Sequence, residues 1–182
     1  VRSLIVRAGD FFGPGAANNW FSQALVRPGQ PVKVVNNPGR PGIGHQWAYL
    51  PDVAETMCRL LEMEARLDDF ARFHMEGHWD ADGTQMAAAV ARVAAAASGR
   101  KVRVKPLAWW LLAALAPFVT TLREMREMRY LWQQPLRLDN RALLAALGSE
   151  PHTPLDAAVG ATLAGLGCLG GAAAGGITLR QA

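Results

Sequence analysis

Apolar positions fall in short blocks whose spacing changes along the chain. Leu4 to Arg7 reads as a buried strand, closed by Gly9 and the turn residues Gly13-Pro14-Gly15. Asn18 or Asn19 can cap a short helix through Leu25, which Pro28-Gly29 stops. Pro31 to Val35 reads as a second strand, 36–44 as a loop dense in Gly and Pro, and His45 to Leu50 as a third extended segment. Pro51-Asp52 opens a helix expected to reach Leu67. Proline fits the first turn, Asp52 complements the positive helix end, and Val53, Met57, Leu60 and Leu61 share one face, with Cys58 assigned to the core beside them. Phe70 to Gly77 alternates like a strand, and Asp82 precedes an Ala-rich helix to Ala97 that Ser98-Gly99 ends. Val102 to Val104 is extended again, and helices are expected over 107–116, 118–133, 140–147 and 154–166. Strands alternating with helices indicate an α/β domain whose last third is almost purely helical.

Composition supports a folded chain. Of 182 residues, 51% are hydrophobic and 19% charged, which excludes disorder and allows a sizeable core. Cys58 and Cys168 are too few for a disulfide framework or a four-ligand zinc site, so a reducing, cytoplasmic setting is expected. The sequence starts at Val1 on a strand and without a secretory signal pattern, which leads us to expect that the start of the protein lies upstream.

The net charge of +4 conceals an alternation: segments 1–50, 51–99, 100–141 and 142–182 carry +4, −5, +6 and −1. If the fold joins the two basic segments, they favour an anionic small ligand such as a phosphorylated or nucleotide-linked compound. Part of the second segment has a plainer explanation. Leu122, Met125, Met128 and Trp132 recur at helical spacing while Arg123 and Glu127 stand i,i+4, as on a solvated helix. Nucleic acid is not expected as a partner, because no dense Lys/Arg run is interleaved with aromatics.

Several patterns imitate functional motifs. Ala157 to Leu179 is uncharged over 23 residues, but seven are Gly, seven Ala and only six Leu, Ile or Val, which makes a weak membrane segment. The expectation is instead a last helix ending near Leu166 and a flexible Gly/Ala-rich tail over 167–182. Gly165, Gly167 and Gly170 satisfy G-x-G-x-x-G without a leading strand. Gly39, Gly42 and Gly44 follow a strand, but Pro38 and Pro41 interrupt and no helix begins within the motif, so a mobile loop is expected. His74 and His78 flank a strand end at Gly77 and lack an evident third ligand, so no metal site is assigned.

One combination is more specific. Leu4-Ile5-Val6-Arg7-Ala8-Gly9-Asp10-Phe11-Phe12-Gly13-Pro14-Gly15 resembles the strand and loop after the catalytic helix in extended short-chain dehydrogenases/reductases, the NAD-dependent epimerase/dehydratase group. The usual form there is Arg-Pro-x-Asn-x-Tyr-Gly-Pro. Arg7, Gly13 and Pro14 match it, while Ala8, Asp10 and Phe12 replace Pro, Asn and Tyr. Downstream, Trp47-Ala48-Tyr49-Leu50-Pro51-Asp52-Val53-Ala54 resembles the Tyr-Val-x-Asp-Val-Ala element of the same group, and Thr153-Pro154-Leu155-Asp156 resembles the approach to its final helix.

The resemblance covers residues 1–166 and implies the C-terminal part of a Rossmann-like fold with a mostly helical substrate-side subdomain. It implies NAD or NADP as cofactor of the full-length protein, with Ala8 and Gly9 beside the cofactor. It places Asp10, Phe11, Phe12 and His45 on the substrate, a small molecule such as a nucleotide-linked sugar, and it allows a homodimer. Asp10 could accept hydrogen bonds from a polyol and the phenylalanines could wall it; as ordinary residues, Asp10 would serve the turn and the phenylalanines the core.

The family's Tyr-x-x-x-Lys pair is missing, since Val53 follows Tyr49 and Gln134 follows Tyr130 at the fourth position, and no Gly-rich cofactor turn is found. The expected function is therefore the substrate-binding portion of an epimerase/dehydratase-like oxidoreductase, catalytically incomplete alone. The rivals are a non-enzymatic NAD(P)- or ligand-sensing module of the same fold and a membrane-tethered protein using 157–179.

Overall fold

The structure is a computed structural model, and it describes residues 2–16 and 18–169. Seven strands occupy it: β1 (Ser3–Arg7), β2 (Asp10–Phe12), β3 (Val34–Asn37), β4 (His45–Tyr49), β5 (Phe70–His74), β6 (His78–Asp80) and β7 (Arg103–Pro106). The α-helices are α1 (Leu50–Glu62), α2 (Gln85–Ser98), α3 (Trp109–Leu115), α4 (Thr120–Glu127), α5 (Arg141–Leu147) and α6 (Leu155–Gly165).

β1 runs parallel to β5, with Ser3 opposite Phe70 and Arg7 opposite His74. β4 lies between β2, to which it is parallel, and β6, to which it is antiparallel. β3 pairs with β7 in a parallel ribbon. The chain thus changes partner twice: β1 and β5 pair with each other, and their continuations β2 and β6 then separate to admit β4. Gly9 and Gly77 stand at these two changes. A Cβ at Gly9 would overlap the Gln46 carbonyl, and one at Gly77 would overlap the Trp47 carbonyl, with Gly77 in the left-handed region at φ 55°. The strand read over Phe70 to Gly77 ends at His74, and β6, which that reading does not include, opens beyond Gly77 at His78.

The larger core joins β2, β4 and α2 to α6 through Phe12, Trp47, Val90, Val159 and Leu163, all buried. The smaller joins β5, α1 and α5 through Phe73, Leu60 and Leu143. Each such apolar side chain contributes roughly 1.5–3 kcal/mol on burial. On α1 the buried positions are Val53, Thr56 and Leu60. Met57 and Leu61 are exposed, and so is Cys58, which corrects its assignment to the core. The expected apolar stripe straddles the edge of the buried face. α1 ends at Glu62 and a 3-10 turn over Glu64–Arg66 follows.

α2 starts at Gln85, with Thr84 at its N-cap: the buried Asp80 carboxylate accepts the N–H groups of Thr84, Gln85 and Met86 at 3.1 Å each, and Asp82 also accepts the Thr84 N–H, at 2.9 Å. The loop read as mobile is held to that region. Asn37 donates to the Gly83 carbonyl at 2.7 Å, and Gly42 N–H to the Asp82 carbonyl at 2.9 Å. The helix expected over 118–133 is divided, α4 giving way to a 3-10 turn over Met128–Trp132.

Beyond α6 the chain stays packed through Leu169. Gly29 N–H donates to the Leu166 carbonyl and Val32 N–H to the Cys168 carbonyl, and Cys168 is buried. The rest of the expected tail, 170–182, lies outside the described residues. Among the described residues no helix is long and apolar enough to cross a membrane.

Candidate functional site

The first change of strand partner creates the site. Asp10 opens β2 directly after Gly9, opposite Trp47, and His45 opens β4. Their side chains meet, His45 Nε2 lying 2.8 Å from Asp10 Oδ2. Strand alternation puts His45 and Trp47 on one face of β4, and their rings contact edge to face at 5.2 Å. On its other side His45 lies flat against Trp132, with ring centres 3.8 Å apart and planes 13° apart. The imidazole is thus fixed by two indoles and one carboxylate.

Ala8, Gly9, Asp10, His45 and Gln46 line a cavity of about 180 Å³, closed by Leu131, Leu136 and Leu138. The opposite wall is fastened to β4 by Gln46, whose Oε1 accepts the Leu138 N–H at 2.9 Å while its Nε2 donates to the Met75 and Glu76 carbonyls at 3.2 and 2.7 Å. Arg137 pairs with Glu76 and lies over the Trp79 ring. Asp10 also borders a neighbouring cleft of about 310 Å³, whose walls include Phe11, Asn18, Asn19 and Glu124.

Four of the residues singled out from sequence, Ala8, Gly9, Asp10 and His45, therefore share one cavity. Phe11 is half exposed and walls the adjoining cleft. Phe12 stands elsewhere: it is completely buried among Phe21, Trp47 and Tyr49 and borders neither cavity. No residue of the Gly/Pro-rich loop over 36–44 lines this cavity; His45 and Gln46, which do, belong to β4.

Sequence reasoning misses Trp132 and the 131–138 wall. Periodicity places Trp132 on a helix face, and the only local sign of another role is a bulky aromatic just before Gln133-Gln134-Pro135, where no helix continues.

As chemistry, the site offers a hydrogen-bonded carboxylate and imidazole at the mouth of a small pocket with leucine walls. Asp10 accepts from His45 and keeps lone pairs for ligand hydroxyls. Ala8 and Gly9 present mainly backbone, and Gly9 is explained by its contact with Gln46. Tyr49 is buried beside Phe12, and burial, then the nearby Asp52, pushes its hydroxyl pKa up. Among the described residues no group of three or more His, Cys, Asp or Glu side chains could hold a metal ion.

No family model and no curated protein matches the sequence. Solved structures do. RMD from Pseudomonas aeruginosa complexed with NADPH superposes with a TM-score of 0.56 at 15% identity, over 91% of this chain and 48% of that one. The UDP-glucose 4-epimerase of Thermus thermophilus in complex with NAD gives 0.53 at 17% identity, over 91% and 47%. The UDP-glucose 4-epimerase of Thermotoga maritima with UDP-glucose gives 0.52 at 15% identity, over 88% and 44%. The chain has the Rossmann-like fold of these proteins and spans about half the length of each.

Proposed function

We propose that this chain is the substrate-binding portion of an NAD(P)-dependent oxidoreductase of the epimerase/dehydratase type, and that it does not complete the reaction by itself. The observation that carries this reading is the Asp10–His45 contact, at 2.8 Å, on the wall of a cavity that also contains Ala8 and Gly9. The fold is that of proteins solved with NADPH, NAD or UDP-glucose.

The cofactor, when bound, supplies hydride exchange with a carbonyl or alcohol carbon. The residues of this chain that fit beside it are Ala8 and Gly9, small and at the cavity rim; its phosphates need a glycine-rich turn that this sequence does not contain. The chain's own work is binding. His45, held flat by Trp132, fixes one oxygen of Asp10, and the free lone pairs of that carboxylate accept ligand hydroxyls. Leu131, Leu136 and Leu138 keep water from the bound sugar face, and Phe11 offers the adjoining cleft an apolar wall. A nucleotide-linked sugar suits this division, and two cysteines without a disulfide suit a reducing cytoplasm.

The test is calorimetric titration of the chain with UDP-glucose. Binding is expected, weakened at least tenfold by Asp10→Ala and by His45→Ala, with no NAD(P)H turnover by the chain alone. Unchanged affinity in both variants would sink the assignment of the site, and measurable turnover would sink its catalytic incompleteness.

A further inference from the structure

α3 meets the body of the molecule on one side only. Its inner positions, Trp109, Leu112, Ala113 and Ala116, recur at helical spacing and are buried or half-buried. Trp109 fixes that side: its Nε1 donates to the Pro38 carbonyl at 3.0 Å, and its ring packs against Trp20 with centres 6.0 Å apart. The outer side is apolar as well. Trp110 is 75% exposed, Leu111 and Leu115 are exposed, and the chain leaving α3 adds Phe118, 85% exposed, and Val119. No charged side chain occurs from Pro106 to Leu122. Scattered exposed apolar residues are ordinary, but a helix face that presents only apolar groups to solvent is a contact surface.

The neighbouring charges decide what such a surface meets. Arg100, Lys101, Arg103 and Lys105 lead into α3 along β7, all four exposed, with no acidic residue between them and no ion pair to any of them among the described residues. Residues 100–129 as a whole carry seven basic and two acidic side chains, the latter being Glu124 and Glu127, which stand on α4 beside Arg123 and Arg126. A second copy placed on this face would bring a second set of the same cations to the contact. The rest of a longer protein is expected at the uncovered edge of β1, which rests on the smaller core, whereas α3 rests on the larger. A phospholipid surface has what neither offers, negative charge spread over an apolar layer. It attracts nearby cations over roughly a Debye length, about 10 Å, whatever the direction of each side chain.

We infer that α3 and the turn after it lie on the surface of a membrane containing anionic phospholipid, with Trp110, Leu111, Leu115 and Phe118 entering the boundary between headgroups and acyl chains and the four cations of 100–105 attracted to the lipid phosphates. Indole and phenyl rings favour that depth, and the cations add an attraction that an apolar face of this size lacks by itself. α3 has seven residues, roughly 10 Å of helix, so the contact lies on the bilayer and does not cross it. None of these residues lines the Asp10–His45 cavity.

The test is cosedimentation of the full chain with vesicles of phosphatidylcholine alone and of an equimolar mixture of phosphatidylcholine and phosphatidylglycerol. Binding to the mixed vesicles is expected to be roughly tenfold or more tighter than to the neutral ones, and to weaken as salt is raised. The double variant Trp110→Ser/Phe118→Ser and, independently, Lys101→Glu/Lys105→Glu should each weaken it roughly tenfold or more while the far-UV circular dichroism stays native. The inference is overturned if mixed vesicles are not bound, if neutral vesicles bind as tightly, or if whichever double variant folds still binds as the parent chain does. Sedimentation velocity covers the second copy: a chain that ignores vesicles and self-associates unless Trp110 and Phe118 are replaced uses this face as its own interface, which also overturns the inference.

Discussion

Thr153 donates both its backbone N–H and its hydroxyl to the Asp52 carboxylate, at 2.8 and 2.7 Å, and so ties the approach to α6 to the first turn of α1. The two residues come from separate short motifs, 101 positions apart in the chain. Asp52 also favours the α1 N-terminus by its charge. Asp52→Ala should cost about 1–3 kcal/mol and Thr153→Ala about 1 kcal/mol, by the usual value of buried and charge-assisted hydrogen bonds. Urea denaturation of both single variants and the double variant is the check. The double variant should lose less than the sum of the singles, and strict additivity would show that the contact contributes nothing.

Gly9 is required by a close approach of strands, so its replacement should disturb the site and the fold together. A Cβ there would meet the Gln46 carbonyl, and Gln46 holds the 131–138 wall. Gly9→Ala is expected to destabilise the chain by about 1–3 kcal/mol through overpacking and to weaken UDP-glucose binding at least tenfold. Gly99→Ala, where nothing lies within 4 Å but φ is 66°, strains the backbone far from both cavities and should spare binding. Equal affinities in all three chains would separate Gly9 from the site.

What is legible in the sequence is what local pattern encodes. β1, β4, α1 and the approach to α6 are readable because each begins or ends with residues of fixed conformational meaning, as Pro51-Asp52 does for α1. Asp10 and His45 can be named from motifs, but their contact spans 35 positions and depends on strand register. β2 and β6 are hidden because three-residue strands carry too few alternations to stand out from a turn. Phe12 and Phe11 are adjacent and chemically identical; only their opposite faces on β2 send one to the core and the other to a cleft. Beyond Trp132 the 131–138 wall has no periodicity, and it is held by Gln46, a residue no local pattern distinguishes.

His78 should make stability fall with acid. Its pKa is about 4 in the folded chain against 6.5 when unperturbed, so between these values the unfolded chain binds the proton that the native chain refuses. The stability contributed is complete above pH 6.5 and is lost as pH falls toward 4. His152 reinforces the depression and Asp52 opposes it, while Asp80 lines the same cavity as His78. The loss should be about 2 kcal/mol, allowing for screening by water that reaches the ring. Urea midpoints measured from pH 7 to pH 4 in the parent chain and in His78→Gln test it, since the variant should lose most of that slope. The same slope in both would assign it to other groups.

β1 pairs with β5 along one edge, and among the described residues no strand covers the other. Ile5, on β1, is 36% exposed, so the uncovered edge carries an apolar side chain beside free backbone groups. Such an edge recruits another strand, either from a complementary part of a longer protein or from a second copy of the chain. The chain is therefore expected to self-associate as its concentration rises, and Ile5→Lys should shift it toward monomer because a charge on an edge strand opposes pairing. Sedimentation velocity compares the two, with circular dichroism to establish that the variant keeps its secondary structure. A parent chain that stays monomeric throughout, or a variant that associates as strongly, would remove β1 as the contact.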